Sequence, residues 1–150
     1  MIYHYYGNEF DGELPSKEPF AAIRSPQQLY NLLRKLWCAQ TCAPRLREHW
    51  SEENPTLGQC SITAFLTQDI FGGEVYGIPL PGGVFHCYNV VGDVVFDLTS
   101  EQFRGKPLNY QGNPLQLREV HFAREEKRLR YESLRASLLA LLQEEAPPKP

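Results

Sequence analysis

Three side chains in this sequence have the types needed for covalent acyl chemistry: the thiol of Cys60, the imidazole of His86 and the carboxylate of Asp97. A thiol attacks carbonyl carbon, an imidazole moves the proton, and a carboxylate orients the imidazole. Cys60 stands at the start of a helical pattern, where unpaired N–H groups and roughly half a positive charge favour thiolate. In such a place, with an imidazolium nearby, a thiol pKa falls from about 8.5 to about 3.5–7.5. Gly58 lets the backbone approach closely, and the Cys60 amide points where an oxyanion would form. The side chains of Gln59 and Asn54 are further candidate donors to that oxyanion.

His86 and Asp97 come together if Gly92-Asp93 is a two-residue hairpin turn between Val/Phe-rich runs. Glycine supplies the positive φ that a type II′ turn needs. Val91 then faces Val94, Tyr88 faces Asp97 and His86 faces Thr99, which makes His86 and Asp97 diagonal neighbours on one face. Diagonal Cβ atoms lie about 7–8 Å apart or less, a gap that one imidazole–carboxylate hydrogen bond closes. The opposite face carries Phe85, Cys87, Asn89, Val91, Val94, Phe96 and Leu98 and reads as core, so Asn89 is a poor third member of the site.

These residues need elements to hold them. Ile2–Tyr6 reads as a short strand. Ser25-Pro26 starts a helix with Leu29, Leu32, Leu33, Leu36 and Trp37 on its apolar stripe, ending before Pro44. One helical turn is expected around Leu46–Trp50, and a second helix over Gln59–Phe71, terminated by Gly72-Gly73. Glu74–Leu80, Val84–Val91 and Val94–Leu98 are strands, and Leu117–His121 reads as a further one. Ala123–Gln143 is a long amphipathic helix with Leu129, Leu134, Leu138, Leu141 and Leu142. Residues 1–145 are expected to form a single domain, with 146–150 a frayed tail.

Composition narrows the class. Hydrophobic residues at 42% and charged residues at 22% describe an ordinary globular chain. A formal net charge of -3 does not supply the electrostatic attraction that generic nucleic-acid binding needs. No apolar run reaches the roughly 18 residues of a membrane span, and the opening residues lack the pattern of a secretory signal, so a cytoplasmic location is expected. Four cysteines in that setting are expected to be reduced thiols. Cys38 and Cys42 lie four apart on what reads as one helix face, with His49, Cys60, His86 and Cys87 beyond. No C-x2-C pair is present, so packing is favoured over zinc for them, and neither a metal nor an organic cofactor is expected. His4, His49 and His121 read as surface or capping residues.

The order Cys, His, Asp, with Asp97-Leu98-Thr99 closing the hairpin, resembles papain-like and transglutaminase-like cysteine enzymes. A closer resemblance, over about residues 50–142, is to the uncharacterised bacterial YunG-type proteins. It is carried by Trp50-Ser51, Asn54-Pro55, Gly58-Gln59-Cys60, Thr63-Ala64, Gln68-Asp69, Gly72-Gly73, His86, Asn89, Asp97-Leu98-Thr99, Gln102-Phe103 and Arg130-Tyr131. In that group an aromatic residue commonly follows the histidine, and Cys87 stands in its place here. The expected fold is therefore α+β and papain-like, with N-terminal helices packed on an antiparallel sheet and a long C-terminal helix. The expected function is cysteine-dependent acyl hydrolysis or transfer, as an amidase, deamidase or transglutaminase-like enzyme, on a small-molecule, peptide or protein substrate. A catalytically inactive fold serving as a protein-interaction module is the alternative. The chain is expected to be a monomer, or a homodimer through its C-terminal helix, with neither nucleic acid nor membrane as partner.

Overall fold

A computed structural model describes residues 3–145. Its elements are α1 (Pro26–Arg34), α2 (Cys60–Phe71), β1 (Glu74–Leu80), β2 (Val84–Val91), β3 (Val94–Phe96), α3 (Arg118–Phe122) and α4 (Glu125–Glu145), with single 3-10 segments at Pro44–His49 and Ser100–Phe103. The result is an α+β architecture built on a small antiparallel sheet of order β1-β2-β3.

Local chemistry sets most of these limits. The Ser25 hydroxyl accepts from the Gln28 N–H, with Pro26 at the first helical position. α1 stops at Arg34, earlier than its leucine pattern suggests, because the chain turns there. Leu36 and Trp37 still pack on the core, Trp37 anchored by its indole N–H donating to Thr63 Oγ1 at 3.0 Å. Cys38 and Cys42 therefore do not share a helix face: both lie in the turn that follows, where the Cys38 N–H and carbonyl both bond Thr41 Oγ1. α2 ends at Gly72, whose φ of 76° permits the reversal while its N–H bonds the Gln68 carbonyl at 2.8 Å.

β2 and β3 pair as Val91 with Val94, Val90 with Val95 and Asn89 with Phe96, the register expected from the sequence. Gly92 has φ 59° while Asp93 keeps a negative φ, as a type II′ turn requires. β3 is shorter than expected. At Asp97 the backbone leaves β2 and bridges Tyr6, with the Asp97 N–H donating to the Tyr6 carbonyl at 2.9 Å. Tyr6 contributes only that bridge, so the strand expected over Ile2–Tyr6 does not form; Ile2 lies outside the described residues, as does the tail 146–150.

The expected strand at Leu117–His121 is helix α3 instead. Extended pairing does occur, but upstream: Gly77 N–H bonds the Pro114 carbonyl, Gln116 N–H bonds the Val75 carbonyl, and Leu115 bridges Tyr76. After Gln116 the sheet edge is used up, and Leu117 and Val120 remain exposed. A break at Ala123-Arg124 separates α3 from α4.

The main core lies where α1, α2, β3 and α4 meet, around Leu29, Leu33, Ile62, Leu66, Phe96 and Leu134. Arg118 ties α3 to its neighbours: it pairs with Asp69 at 2.7 Å, donates to the Phe65 carbonyl at 2.9 Å and lies over the rings of Phe65, Phe122 and Tyr131. Of the five leucines in the α4 stripe, Leu134 and Leu138 are fully buried, whereas Leu129 is 49% exposed. Leu134→Ala is thus expected to lower the free energy of unfolding by about 2–5 kcal/mol. Leu129→Ala should stay within about 0.5 kcal/mol of wild type, both read from urea denaturation.

Candidate active site

The site begins with how α2 starts. Gly58 has φ 72°, and a Cβ there would meet Cys42 Sγ at 2.5 Å and the Ala43 nitrogen at 2.9 Å. Only glycine lets these two segments touch, and the contact is fastened by the Ala43 N–H donating to the Gly58 carbonyl at 3.0 Å. Two residues later Cys60 opens the helix, with Thr63 N–H bonded to the Gln59 carbonyl as the first helical turn. The amides of Cys60, Ser61 and Ile62 thus have no acceptor within the helix. Cys60 is partly exposed and lines a cavity of about 660 Å³.

β2 is the central strand and carries residues for both sheet faces. Toward α2 it presents Cys87, packed with Ala64, Phe65 and Val75, and Asn89, whose amide donates to the Ala64 carbonyl at 2.9 Å. Asn89 is occupied in holding helix to sheet, on the face expected for it. Phe85 departs from the core reading, being 36% exposed where the strand passes the cavity. The other face carries His86. Its Nε2 lies 2.6 Å from Asp97 Oδ2, and both side chains are 1% exposed. That face is not half-open, as an isolated hairpin would leave it: Phe103 stands edge-on to the imidazole at 4.6 Å, and Tyr110 stacks on Tyr6.

Asp97 is held from every side. Tyr110 O–H donates to Oδ2 at 2.7 Å, while the Thr99 N–H and hydroxyl donate to Oδ1 at 3.2 and 3.4 Å. Burial, and then the Asp97 charge, push the Tyr110 phenol well up, so it stays a donor. With three other donors fixing the carboxylate, His86 Nε2–H is the natural fourth, and Nδ1 is left facing the thiol side. Burial opposes charge on His86, yet Asp97 and the hydrogen-bonded Cys60 carry its pKa up to about 10. Cys60 moves the other way. A hydrogen bond from the Cys87 thiol and, against the cost of burial, one from His86 hold it well below its usual 9.0. Cys87 is pushed up by the same contact and by its burial, and the Cys60 sulfur lies 3.7 Å from the Phe85 carbonyl.

The two expected side-chain oxyanion donors are elsewhere. Gln59 is buried and its amide donates to the Cys38 carbonyl at 3.0 Å, fastening the Cys38–Thr41 turn to the helix start. Asn54 sits in a one-pair bridge with Ser51, and neither residue lines the cavity. Sequence proximity to Cys60 placed them near the chain, not near the sulfur. Gln102 reaches the site instead, from the 3-10 turn after Asp97. Its Nε2 donates to the Thr99 carbonyl at 3.0 Å and lies 3.5 Å from His86 Nδ1, and its Oε1 accepts from the Gly58 N–H at 3.4 Å. His121 was also not legible as a site residue: it lines the cavity, bonded to Gln116 and Lys127. A strand reading of 117–121 hides that arrangement, because only helix α3 turns His121 toward α4. Among the described residues no group of three or more His, Cys, Asp or Glu is placed to hold a metal ion. None of their helices is long and apolar enough to cross a membrane.

The molecule is thus an α+β protein in which a strand imidazole bonded to a buried carboxylate lines the same cavity as a helix-start thiol. The family model for the YunG protein matches residues 25–143, and the chain belongs to that family. The "Uncharacterized protein YunG" of Bacillus subtilis (strain 168) is 40% identical over 86 residues, covering 57% of this chain and 71% of that protein. The match reaches back over α1, beyond the segment in which the resemblance was visible by motif. No solved structure matches the chain significantly.

The thiol–imidazole pair makes a specific prediction about pH. His86 alone, raised from 6.5 to about 10, contributes stability that is complete below pH 6.5 and drains away as pH rises toward 10. Cys60 alone, held below 9.0, contributes stability present above 9.0 and lost as pH falls through its lowered value. Between 6.5 and 9.0 the folded pair keeps one proton on the imidazole and the unfolded pair keeps one on sulfur, so the two slopes cancel. Cys60→Ala leaves His86 with Asp97 and removes the cancellation. The stability of wild type minus that of Cys60→Ala should therefore grow from pH 7 to pH 8.5, by up to about 1.4 kcal/mol per pH unit. A difference independent of pH would contradict the pairing.

Proposed function

We propose that this protein is a cysteine-dependent acyl hydrolase or acyl transferase of papain-like or transglutaminase-like design, with Cys60 as nucleophile, His86 as proton carrier and Asp97 as orienter. The observation that carries the reading is the buried 2.6 Å bond between His86 and Asp97, with the imidazole lining the same cavity as the helix-start thiol and each shifting the pKa of the other.

In this reading the Cys60 thiolate adds to the carbonyl carbon of an amide or ester. Charge then develops on the carbonyl oxygen, next to the unpaired amide of Cys60 and the positive end of α2. Collapse of the adduct breaks the carbon–nitrogen or carbon–oxygen bond, and His86 Nδ1–H protonates the leaving group. The acyl group is now a thioester on Cys60. Water or an amine gives its proton to the neutral Nδ1 as it attacks, and the thiolate leaves, restoring the ion pair. Asp97 accepts from Nε2–H throughout, so the ring cannot turn away between steps. Gln102 is a positioning residue, joining the Gly58 N–H to the Thr99 carbonyl beside the imidazole through one amide. The Cys60 amide is the oxyanion donor of choice, since Gln59 is bonded to Cys38.

Alkylation of Cys60 by iodoacetamide, followed by peptide mapping, separates this reading from an interaction module. The wild-type thiol should react readily at pH 6, and His86→Ala should slow it about 10-fold or more at that pH. A sluggish Cys60, or one indifferent to His86→Ala, would point to a fold without an activated nucleophile.

A further inference from the structure

The cavity beside Cys60 has an uneven charge distribution in a chain whose net charge is -3. Arg45, from the 3-10 turn, Arg124, from the break before α4, and Lys127, from the first turn of α4, contribute three cations to its lining. Among the described residues none of the three has a carboxylate within ion-pair distance. The cavity's remaining charges are already matched: Arg130 pairs with Glu126, and the Cys60 thiolate with the His86 imidazolium.

Lys127 is the informative member. It is partly buried, and its partner is the neutral ring of His121, with Nζ 3.0 Å from Nδ1. His121 Nε2 lies 2.8 Å from Gln116 Oε1, which can only accept, so Nε2 carries the proton and Nδ1 must accept from the ammonium. Burial, and then Lys127 itself, push His121 down to about 4, so the ring stays neutral. Lys127 is thus aimed by a relay from Gln116 through His121, which takes one of its three hydrogens and leaves two. Burial disfavours the Lys127 ammonium and lowers its pKa, so an acid beside it would be favourable. Here the position of the acid is open to the cavity. Leu46, Leu80, Val84, Phe85 and Val120 supply the apolar part of the lining, with Ser61 and Gln102 as further polar groups.

We infer that the cavity takes a carboxylate-bearing acyl substrate, with Lys127 and Arg124 receiving the carboxylate and the apolar wall receiving the chain that joins it to the carbonyl at Cys60. A single carboxylate fits two lysine hydrogens and one guanidinium, and more negative charge would be opposed by the nearby thiolate. This inference rests on the proposed acyl chemistry for its reacting bond, but the anion site itself does not require turnover.

Iodoacetate and iodoacetamide deliver the same carbon electrophile to a thiol with and without a carboxylate. Second-order rates of Cys60 alkylation by each reagent, on the full chain, are the test. In Lys127→Met the iodoacetate rate should fall about 5-fold or more while the iodoacetamide rate stays within about 2-fold. Arg124→Gln should move in the same direction, and 0.5 M salt should slow iodoacetate in wild type more than in Lys127→Met. An equal fall for both reagents would mean that Lys127 acts on thiol ionisation, and no change for either would mean that it does not face the ligand; both overturn the inference. Glutarate titrated into Cys60→Ala, followed by amide chemical shifts, decides the anion site without any thiol. Saturable shifts at Ser61, His121 and Lys127 that vanish in Cys60→Ala/Lys127→Met are expected, and their absence in Cys60→Ala overturns it. A thiol unreactive to both reagents, with glutarate binding intact, would refute the acyl chemistry and leave the anion site standing.

Discussion

The buried hydrogen bond between His86 and Asp97 is the constraint around which this molecule is arranged. A carboxylate removed from water is tolerable only if its lone pairs are met by donors, and here four donors from three residues converge on it. Each donor brings a segment with it. Thr99 begins the turn that delivers Gln102, Tyr110 closes the loop after that turn over the sheet, and the backbone of Asp97 draws in Tyr6 from the N-terminal segment. What looks in isolation like a short hairpin thereby becomes a sheet face sealed on all sides, with one imidazole edge left toward the cavity.

The same logic explains why β3 is only three residues long. The outer edge of β3 is met at Asp97 by Tyr6, and the chain then turns at Thr99, so no longer strand follows Phe96. The diagonal relation to His86 survives this early end because register is decided at the turn and at the three residue pairs next to it. Beyond those pairs the side chain needs only to stay on the same face.

On the opposite face, α2 is fixed by a different device. Asn89 and Cys87 meet the helix near Ala64, and Gly58 allows the preceding loop to lie against Cys42 and Ala43. Together they determine where the first turn of α2 begins, and so where the Cys60 sulfur stands relative to β2. Gln59, next to Cys60 in sequence, holds this scaffold and does not line the cavity, whereas Ser61 on the other side of Cys60 does. Further groups that face it come from far along the chain: Gln102, His121, Arg124 and Lys127.

The sequence by itself determined what depends on neighbours a few residues apart. The limits of β1, β2 and α2, the turn at Gly92-Asp93 and the pairing of His86 with Asp97 follow from periods of 2 and 3.6 and from the conformational freedom of glycine. Tertiary structure alone decided the rest, because those outcomes depend on competition for partners that no local pattern records. Residues 117–121 read as a strand, but the sheet edge was already taken by 114–116, and Arg118–Phe122 coil into α3. Gln59 has a donor at the right chain position, but the Cys38 carbonyl, 21 residues earlier, claims it. His121 and Lys127 acquire a shared role only when α3 and α4 fold their ends together over the cavity. A buried polar group takes the partner that space brings to it, and a sequence shows the group without showing the space.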